Sequence, residues 1–402
     1  MRIGFVSRRY LPAISGMSIY AANLLRELVG AGHDHCMISQ YRGDALGSQV
    51  YGGGPPPPVE GVRVIGLEQL GEQGAATSSD ISPRWSKPSS RSIAVSRSTS
   101  FMPKYGYPTG WATLLASRRI GLPNLFSIQG GDGPWVGSCC ETHRLAMVRV
   151  LDHAGAVLIG GRSFANEVSD RLGTDPARFT LVPGAVDTSR FAPSEQPPAP
   201  SARILYHGRV DRRKGVLDFL HALARVRGEW QATISGIGPD LEAARLLAAE
   251  LDLADRVTFT GYAEYQDVPL LYRQHGIFAS PTYAEGFSNT ILEAMASGLA
   301  VLSCRSVGVI DCLRDGENGL LVEPGDIAPQ AAALQRLIGD KALRGRLAAT
   351  ALAECRRTYS WQAVGRQITG IYAALAGSRP DVDFDPELPL SPRRFRAQPH
   401  LL

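Results

Sequence analysis

Two glutamates eight positions apart, Glu285 and Glu293, carry the strongest chemical signal in this 402-residue chain. They lie in the stretch Pro281-Thr282-Tyr283-Ala284-Glu285-Gly286-Phe287-Ser288-Asn289-Thr290-Ile291-Leu292-Glu293-Ala294-Met295-Ala296-Ser297-Gly298. Glu293 stands among Ile291, Leu292, Ala294 and Met295, so a helix through it is apolar on most faces. A carboxylate buried there is costly unless something hydrogen-bonds it. Its partner is either a neighbouring backbone or arginine group, or a polar ligand. Pro281 and Gly286 mark a loop after the apolar run Gly276 to Ala279, and a helix is expected from about Ser288 to Ser297 with Gly298 as its stop. The backbone N–H groups of Gly286 to Thr290 would then point outward at the positive end of a helix, which is an anion site. At about 1.5 Å of rise per residue Glu293 lies roughly 12 Å beyond Glu285. The two acids cannot act as one acid–base pair.

The elements that must position these groups recur twice along the chain. In the first half, apolar runs at Ile3 to Ser7, Val62 to Leu67, Asn124 to Ile128, Ala156 to Ile159 and Phe179 to Val182 read as parallel strands, and Ile19, Leu24, Leu25 and Leu28 mark an amphipathic helix after the first. The second half restarts after the Pro-rich stretch Ala192 to Ala202. Its strands are expected near Ile204 to Tyr206, Ala232 to Ser235, Val257 to Phe259, Gly276 to Ala279 and Ala300 to Ser303, separated by helices such as Val216 to Val226 and Asp240 to Asp252. The pattern implies an α/β protein with two Rossmann-like, doubly wound domains facing across a cleft. The expected boundaries are residues 1–185 for the first domain, 186–202 for a linker, 203–358 for the second domain, 359–376 for a C-terminal helix returning to the first, and 377–402 for a disordered tail.

One segment departs from this plan. From Ala75 to Lys104, ten of thirty residues are Ser and three are Pro, where an α/β domain needs a further strand and helix. It is either an irregular loop or a locally out-of-frame stretch of the coding sequence. The same segment holds five basic residues and one acid, so the formal net charge of +4 resides there and no basic face for nucleic acid is indicated. No apolar run approaches 18 residues and no charged leader precedes the first strand, so a cytoplasmic protein without an integral membrane segment is expected. Six cysteines (36, 139, 140, 304, 312, 355) form no Cys-x-x-Cys pair. They read as small apolar residues, with the adjacent Cys139 and Cys140 leaving a redox or metal element open. Arginine outnumbers lysine 38 to 4, which draws attention to each lysine.

Several further motifs follow successive strands of the second half. His207-Gly208-Arg209-Val210-Asp211-Arg212-Arg213-Lys214-Gly215 comes after the first, Ser235-Gly236-Ile237-Gly238-Pro239 after the next, then Val257-Thr258-Phe259-Thr260-Gly261, and beyond the two glutamates Asp315-Gly316-Glu317-Asn318-Gly319-Leu320-Leu321-Val322. In order and spacing these resemble glycosyltransferase family 4, retaining enzymes of the GT-B fold, over most of the chain. The resemblance implies a nucleotide-sugar donor held mainly by the second domain without a metal ion or other cofactor, and a small-molecule acceptor. It implies Arg209 and Lys214 at the diphosphate, Glu293 at the ribose hydroxyls, Glu285 near the donor-sugar hydroxyls, and the amides around Gly286, Phe287, Ser288 and Asn289 at the phosphates, with Gly236 and Gly238 in the adjoining glycine turn. Gly16, in Ile14-Ser15-Gly16-Met17, matches a glycine-bearing loop near the diphosphate in which two glycines are common. Where the family has His-Gly-x-Asp, this chain has Gln129-Gly130-Gly131-Asp132. Gln129 can donate and accept hydrogen bonds but cannot titrate. Asp311, in Gly308-Val309-Ile310-Asp311, stands where Glu is usual.

Retention without an evident nucleophile implies front-face attack, in which a donor phosphate oxygen takes the acceptor proton. A covalent glycosyl-enzyme would need a carboxylate under the anomeric carbon, and Asp132 is the first-domain candidate. The stretch Tyr105 to Met147, with Trp111, Asp132 and Glu141, offers aromatic and acidic groups for a polyol, and it resembles transferases acting on the 2-deoxystreptamine ring of aminoglycoside antibiotics. Rival expectations are a lipid or polysaccharide acceptor, a nucleotide-sugar 2-epimerase, and a non-enzymatic sugar-binding protein.

Overall fold

The computed structural model describes residues 1–7, 10–12, 16–41, 54–68, 100–103, 106–128, 140–194 and 202–389. They fall into two compact units, Met1–Pro183 with Gly365–Leu402, and Gly184–Val364.

In the first unit the chain runs β1 (Arg2–Ser7), α1 (Gly16–Gly30), β2 (Asp34–Tyr41), β3 (Val62–Glu68), β4 (Ser100–Pro103), α2 (Trp111–Ile120), β5 (Leu125–Ser127), α3 (Glu141–His153), β6 (Ala156–Ile159), α4 (Arg162–Leu172) and β7 (Phe179–Leu181). The strands are parallel, in the orders β3-β2-β1-β4 and β5-β6-β7, with β4 beside β5. Ile3 and Phe5 are buried on one face of β1, and Val6 on the other with Cys36, Ile38, Ala112 and Ala116, while α1 buries Leu24, Leu25 and Leu28, so β1 is covered on both faces. Residues 100–103 of the Ser-rich segment form β4, with Met102 fully buried, whereas 69–99 lie outside the described residues.

The second unit runs β8 (Ala202–His207), α5 (Val216–Leu223), β9 (Trp230–Ser235), α6 (Leu241–Glu250), β10 (Val257–Gly261), α7 (Val268–Arg273), β11 (Ile277–Ser280), α8 (Asn289–Ala296), β12 (Ala300–Cys304), β13 (Leu320–Val322), α9 (Ile327–Gly339) and α10 (Lys341–Thr358). All six strands are parallel in the order β10-β9-β8-β11-β12-β13. Alternation along β8 divides the core: Ile204 and Tyr206 face α5, α6 and α9, while Leu205 faces α7, α8 and α10. A parallel sheet covered on both faces results. Its strand order reverses between β8 and β11, the point where ligands of doubly wound sheets collect at the carboxyl ends of the strands.

Two expectations at the units' margins are corrected. Residues 186–194, expected as linker, belong to the second unit. The Val186 N–H donates to the Tyr359 carbonyl at 2.8 Å, Val186 bridges Ser360, and Phe191 is 1% exposed against Tyr272. The chain re-enters the first unit through α11 (Trp361–Leu375). The segment 377–389, expected as disordered tail, then packs on α2 and α3. Phe384 sits 5.8 Å from the Trp111 ring and 5.2 Å from that of His153, with the Arg118 guanidinium 5.1 Å over its face. Arg118 donates to the Phe384 carbonyl, Arg149 reaches Asp385 at 3.2 Å, and His153 reaches Asp381 at 2.9 Å. One buried aromatic supplies the apolar anchor that a Pro- and Asp-rich composition hides. Phe384→Ala should cost about 2–4 kcal/mol, read as a lower urea midpoint for the first unit. An unchanged midpoint would show that the segment does not hold this unit together.

Candidate functional site

The loops leaving β8, β9, β11 and β12 are interleaved at the carboxyl end of the second unit's sheet. The Gly208 N–H donates to the Ser235 carbonyl at 3.0 Å and the Val210 N–H to the Ile237 carbonyl at 3.0 Å. Gly236 adopts φ +143°, and a Cβ there would stand 1.8 Å from the Gly208 carbonyl oxygen. Only a residue without a side chain permits this approach. On the other side, the Tyr283 N–H donates to the Arg213 carbonyl and the Glu285 N–H to the Val307 carbonyl, both at 3.0 Å. Gly308 closes over the loop, a Cβ on it falling 2.4 Å from the Glu285 carbonyl oxygen. Asp311 follows in the same turn.

This packing brings the two sequence signals together across the strand-order reversal. Lys214 comes from the turn after β8 and Glu285 from the loop after β11, and Lys214 Nζ lies 2.7 Å from Glu285 Oε1 and 3.4 Å from the Ala284 carbonyl oxygen. The neighbouring arginines are held by other acids. Arg209 Nε lies 3.1 Å and Arg213 Nη2 2.8 Å from Asp211 Oδ2, and Arg212 forks onto Asp240 at 3.1 and 2.7 Å. Asp211 is nearly buried and accepts from the Arg213 side chain and backbone, which holds its carboxyl down at about 2. Arg209 is half exposed, its guanidinium anchored at one edge. Tyr283 Oη donates to Asp218 at 2.7 Å, tying the β11 loop to α5.

The expected helix over about 288–297 is α8, with Ser288 at its N-cap, Ser297 at its C-cap and Gly298 in the left-handed region at φ +76°. The first amides of α8 have no carbonyl one turn back to bond, so the N-terminus after Gly286, Phe287 and Ser288 offers donors for an anion. The Phe287 ring packs 5.7 Å from that of Tyr359, and a Cβ on Gly184 would meet it at 2.7 Å, so the loop is seated on the unit's own crossing segment.

Glu293 has a partner the sequence did not reveal. Tyr272 Oη donates to its Oε2 at 2.9 Å and lies 3.2 Å from the Thr290 carbonyl oxygen. Burial dominates even so, and it pushes the Glu293 carboxyl up to about 7 against the opposing effects of Tyr272 and the Arg190 charge. Tyr272 lies 21 residues before Glu293, inside Pro269-Leu270-Leu271-Tyr272, where it reads as an ordinary core aromatic. Asp211, by contrast, sits in a quoted motif. Its position two residues before Arg213 is the Asp-turn signal that could have found it.

Gly16 is the first residue of α1, in the first unit. Gln129 and Asp132 lie outside the described residues, as does Cys139. Cys36, Cys304, Cys312 and Cys355 are buried free thiols. Trp111, expected to stack on a polyol, is instead 2% exposed, because its ring is spent on the core and on Phe384. Glu141 is exposed in the first turn of α3. Among the described residues no three His, Cys, Asp or Glu side chains are grouped to hold a metal, and no helix is long and apolar enough to cross a membrane.

Comparison with known proteins adds a family to this geometry. Residues 201–340 match the model "Glycosyl transferases group 1" and residues 15–185 match "Glycosyl transferase 4-like domain". A D-inositol 3-phosphate glycosyltransferase of Acidothermus cellulolyticus is 31% identical over 259 residues, 58% of this chain and 57% of that one. A glycogen synthase of Mycobacterium tuberculosis is 24% identical over 412 residues, 97% of this chain and 98% of that one. Among solved structures, sucrose-phosphate synthase from Thermosynechococcus elongatus superimposes with a TM-score of 0.80 at 22% identity, over 93% of this chain and 98% of that one. Anabaena HepE in complex with UDP and glucose gives 0.74 at 17%, over 93% and 100%. These likenesses bear out the GT-B fold.

Proposed function

Given that the chain belongs to the glycosyltransferases, a 4-like domain followed by a group 1 domain, and is a hexosyltransferase of that kind, we propose that it is a retaining enzyme. It moves glucose or N-acetylglucosamine from a UDP-linked donor to a hydroxyl of a small polyol or aminocyclitol, such as 2-deoxystreptamine in antibiotic biosynthesis. The observation that carries the reading is the juxtaposition of Lys214 and Glu285 across the strand-order reversal, with Arg209 in the same loop as Lys214 and α8 following the loop that holds Glu285. A fixed guanidinium, an ammonium and a helix N-terminus suit a diphosphate whose charge grows as the sugar departs. The Glu285 carboxylate suits the sugar hydroxyls and that of Glu293 the ribose. The donor phosphate oxygen takes the acceptor proton, so the reaction proceeds by front-face attack without a metal ion. Similarity to an inositol phosphate glycosyltransferase supports a cyclitol acceptor.

The test is incubation with UDP-glucose or UDP-N-acetylglucosamine and 2-deoxystreptamine, with mass spectrometry of the products. A sugar-shifted aminocyclitol is the expected result. Donor consumed only with a glucan or lipid acceptor would overturn the acceptor assignment. Donor bound but never transferred would overturn the whole reading. The two glutamates should separate kinetically: Glu293→Ala is expected to raise the donor KM by about tenfold or more with kcat little changed, and Glu285→Ala to lower kcat by about a hundredfold. Equal effects of both variants on both constants would refute the division of roles.

A further inference from the structure

Beneath Glu293 lies a group that the proposed chemistry does not use. Tyr272 is fully buried in α7, and its ring is wedged among three others, each from a different part of the unit. Phe191, from the crossing segment, is 5.7 Å away and edge-on; His207, at the end of β8, is 5.7 Å away and edge-on; Phe278, in β11, is 5.6 Å away. Such a cage leaves the hydroxyl one position. From there it has a single proton and two acceptors, Glu293 Oε2 at 2.9 Å and the Thr290 carbonyl oxygen at 3.2 Å. When Glu293 is ionised the charged acceptor takes that proton, and Oε1 is left for a ligand. When Glu293 is protonated the hydroxyl can turn to Thr290, and the carboxyl loses both its charge and its anchor.

We propose that Tyr272 is the residue that positions Glu293 for the donor ribose and, through the proton it shares, sets the pH range in which the donor is held. This rests on the reading of Glu293 as the ribose-binding group. The surrounding groups leave Glu293 as the one that changes state near neutrality. Burial holds the Tyr272 hydroxyl far above its ordinary range, so it stays a donor throughout. His207, packed on the Tyr272 ring, is pushed down to about 4 by burial and stays neutral. Cys355, which approaches α8 at the Leu292 carbonyl, is pushed up to about 12 and stays a thiol. The Arg190 charge favours the Glu293 carboxylate. Its guanidinium is fixed 4.2 Å over the Tyr265 ring and donates to the Tyr265 carbonyl at 3.0 Å. Glu293 is the only titratable side chain on α8 itself.

The sign follows from which form binds. The ionised carboxylate accepts ribose hydroxyls, so donor affinity should rise as pH increases through about 7 and fall below it. The probe is UDP-glucose, whose diester phosphates stay ionised over the whole range, titrated calorimetrically into the protein from about pH 5.5 to 9. The native protein should show a midpoint near 7. Tyr272→Phe keeps the ring and removes the proton donor, so its midpoint should move to higher pH by about one unit. Affinity near neutrality should then fall about five- to tenfold and recover at the alkaline end. Arg190→Gln, outside the ring cage, should move the midpoint in the same direction. Glu293→Gln should bind weakly with no pH dependence in this window.

The proposal is overturned if Tyr272→Phe weakens binding equally at every pH, as a packing defect would, or leaves the native profile unchanged. A Glu293→Gln variant that binds UDP-glucose as tightly as the native protein would instead refute the ribose assignment on which the proposal stands.

Discussion

Lys214→Ala is expected to lower kcat/KM for the nucleotide-sugar donor by about three orders of magnitude, the largest catalytic effect of any single change in the site. Each arginine of the loop is already anchored by an acid, Arg209 and Arg213 by Asp211 and Arg212 by Asp240. Lys214 alone in that loop is paired with a group assigned to substrate, Glu285, at 2.7 Å. On the proposed reading, the donor separates this pair: the ammonium turns to the diphosphate and the carboxylate to the sugar. Removing the cation therefore leaves the departing diphosphate with less compensation, worth roughly 4 kcal/mol. Lys214→Arg should restore little, because a planar fork cannot replace a compact ammonium reaching past the Ala284 carbonyl. Steady-state kinetics with UDP-glucose decide the matter. A loss of less than about tenfold would remove Lys214 from the diphosphate.

The largest effect on stability is expected from Gly236→Ala. The added methyl would stand 1.8 Å from the Gly208 carbonyl oxygen, on a backbone at φ +143° that L side chains rarely adopt. Neither end can yield cheaply, since the Gly208 N–H is bonded to Ser235 and the Gly236 N–H to the Gly261 carbonyl at 2.7 Å. A clash between two backbones plus a forbidden φ should cost about 3–5 kcal/mol, enough to lower the thermal midpoint of the second unit by roughly 5–15 °C. Gly276→Ala is the matched control. It sits in the same unit, adds the same methyl, and nothing lies within 4 Å of its Cβ. Equal midpoints for the two variants would show that the close approach of the β8 and β9 loops does not hold the unit.

What could be read from the chain before its structure, and what could not, divides along physical lines. Strands buried on both faces, such as Ile204 to Tyr206 and Ala300 to Ser303, announce themselves as apolar runs. β2 does not, because Asp34, His35 and Gln40 interrupt the run at its ends even though Met37 and Ile38 are fully buried. β4 is masked by the serines before it. β13 was visible only as the apolar close of a motif, Leu320-Leu321-Val322. In the site, Glu285, Glu293 and Lys214 could be found because their neighbours in sequence are the wrong company for a charge. The groups that hold them are distant in sequence or look ordinary: Tyr272 is a core aromatic, and Asp218 an acid in the first turn of an amphipathic helix. Composition misled at 377–389, where a single Phe384 and two arginines outweigh three prolines.

The first unit is built from both ends of the described chain. Gly365 lets Glu27 pass, Leu375 covers Gly155, and Phe384 closes on Trp111, whereas the second unit is one continuous run from Gly184 to Val364. During synthesis at about 5–20 residues per second, residues 1–183 therefore wait roughly 10–40 s for the helix and strap that complete their core. The second unit can finish while the first is still open. The part of the chain made first is therefore the part whose core is completed last.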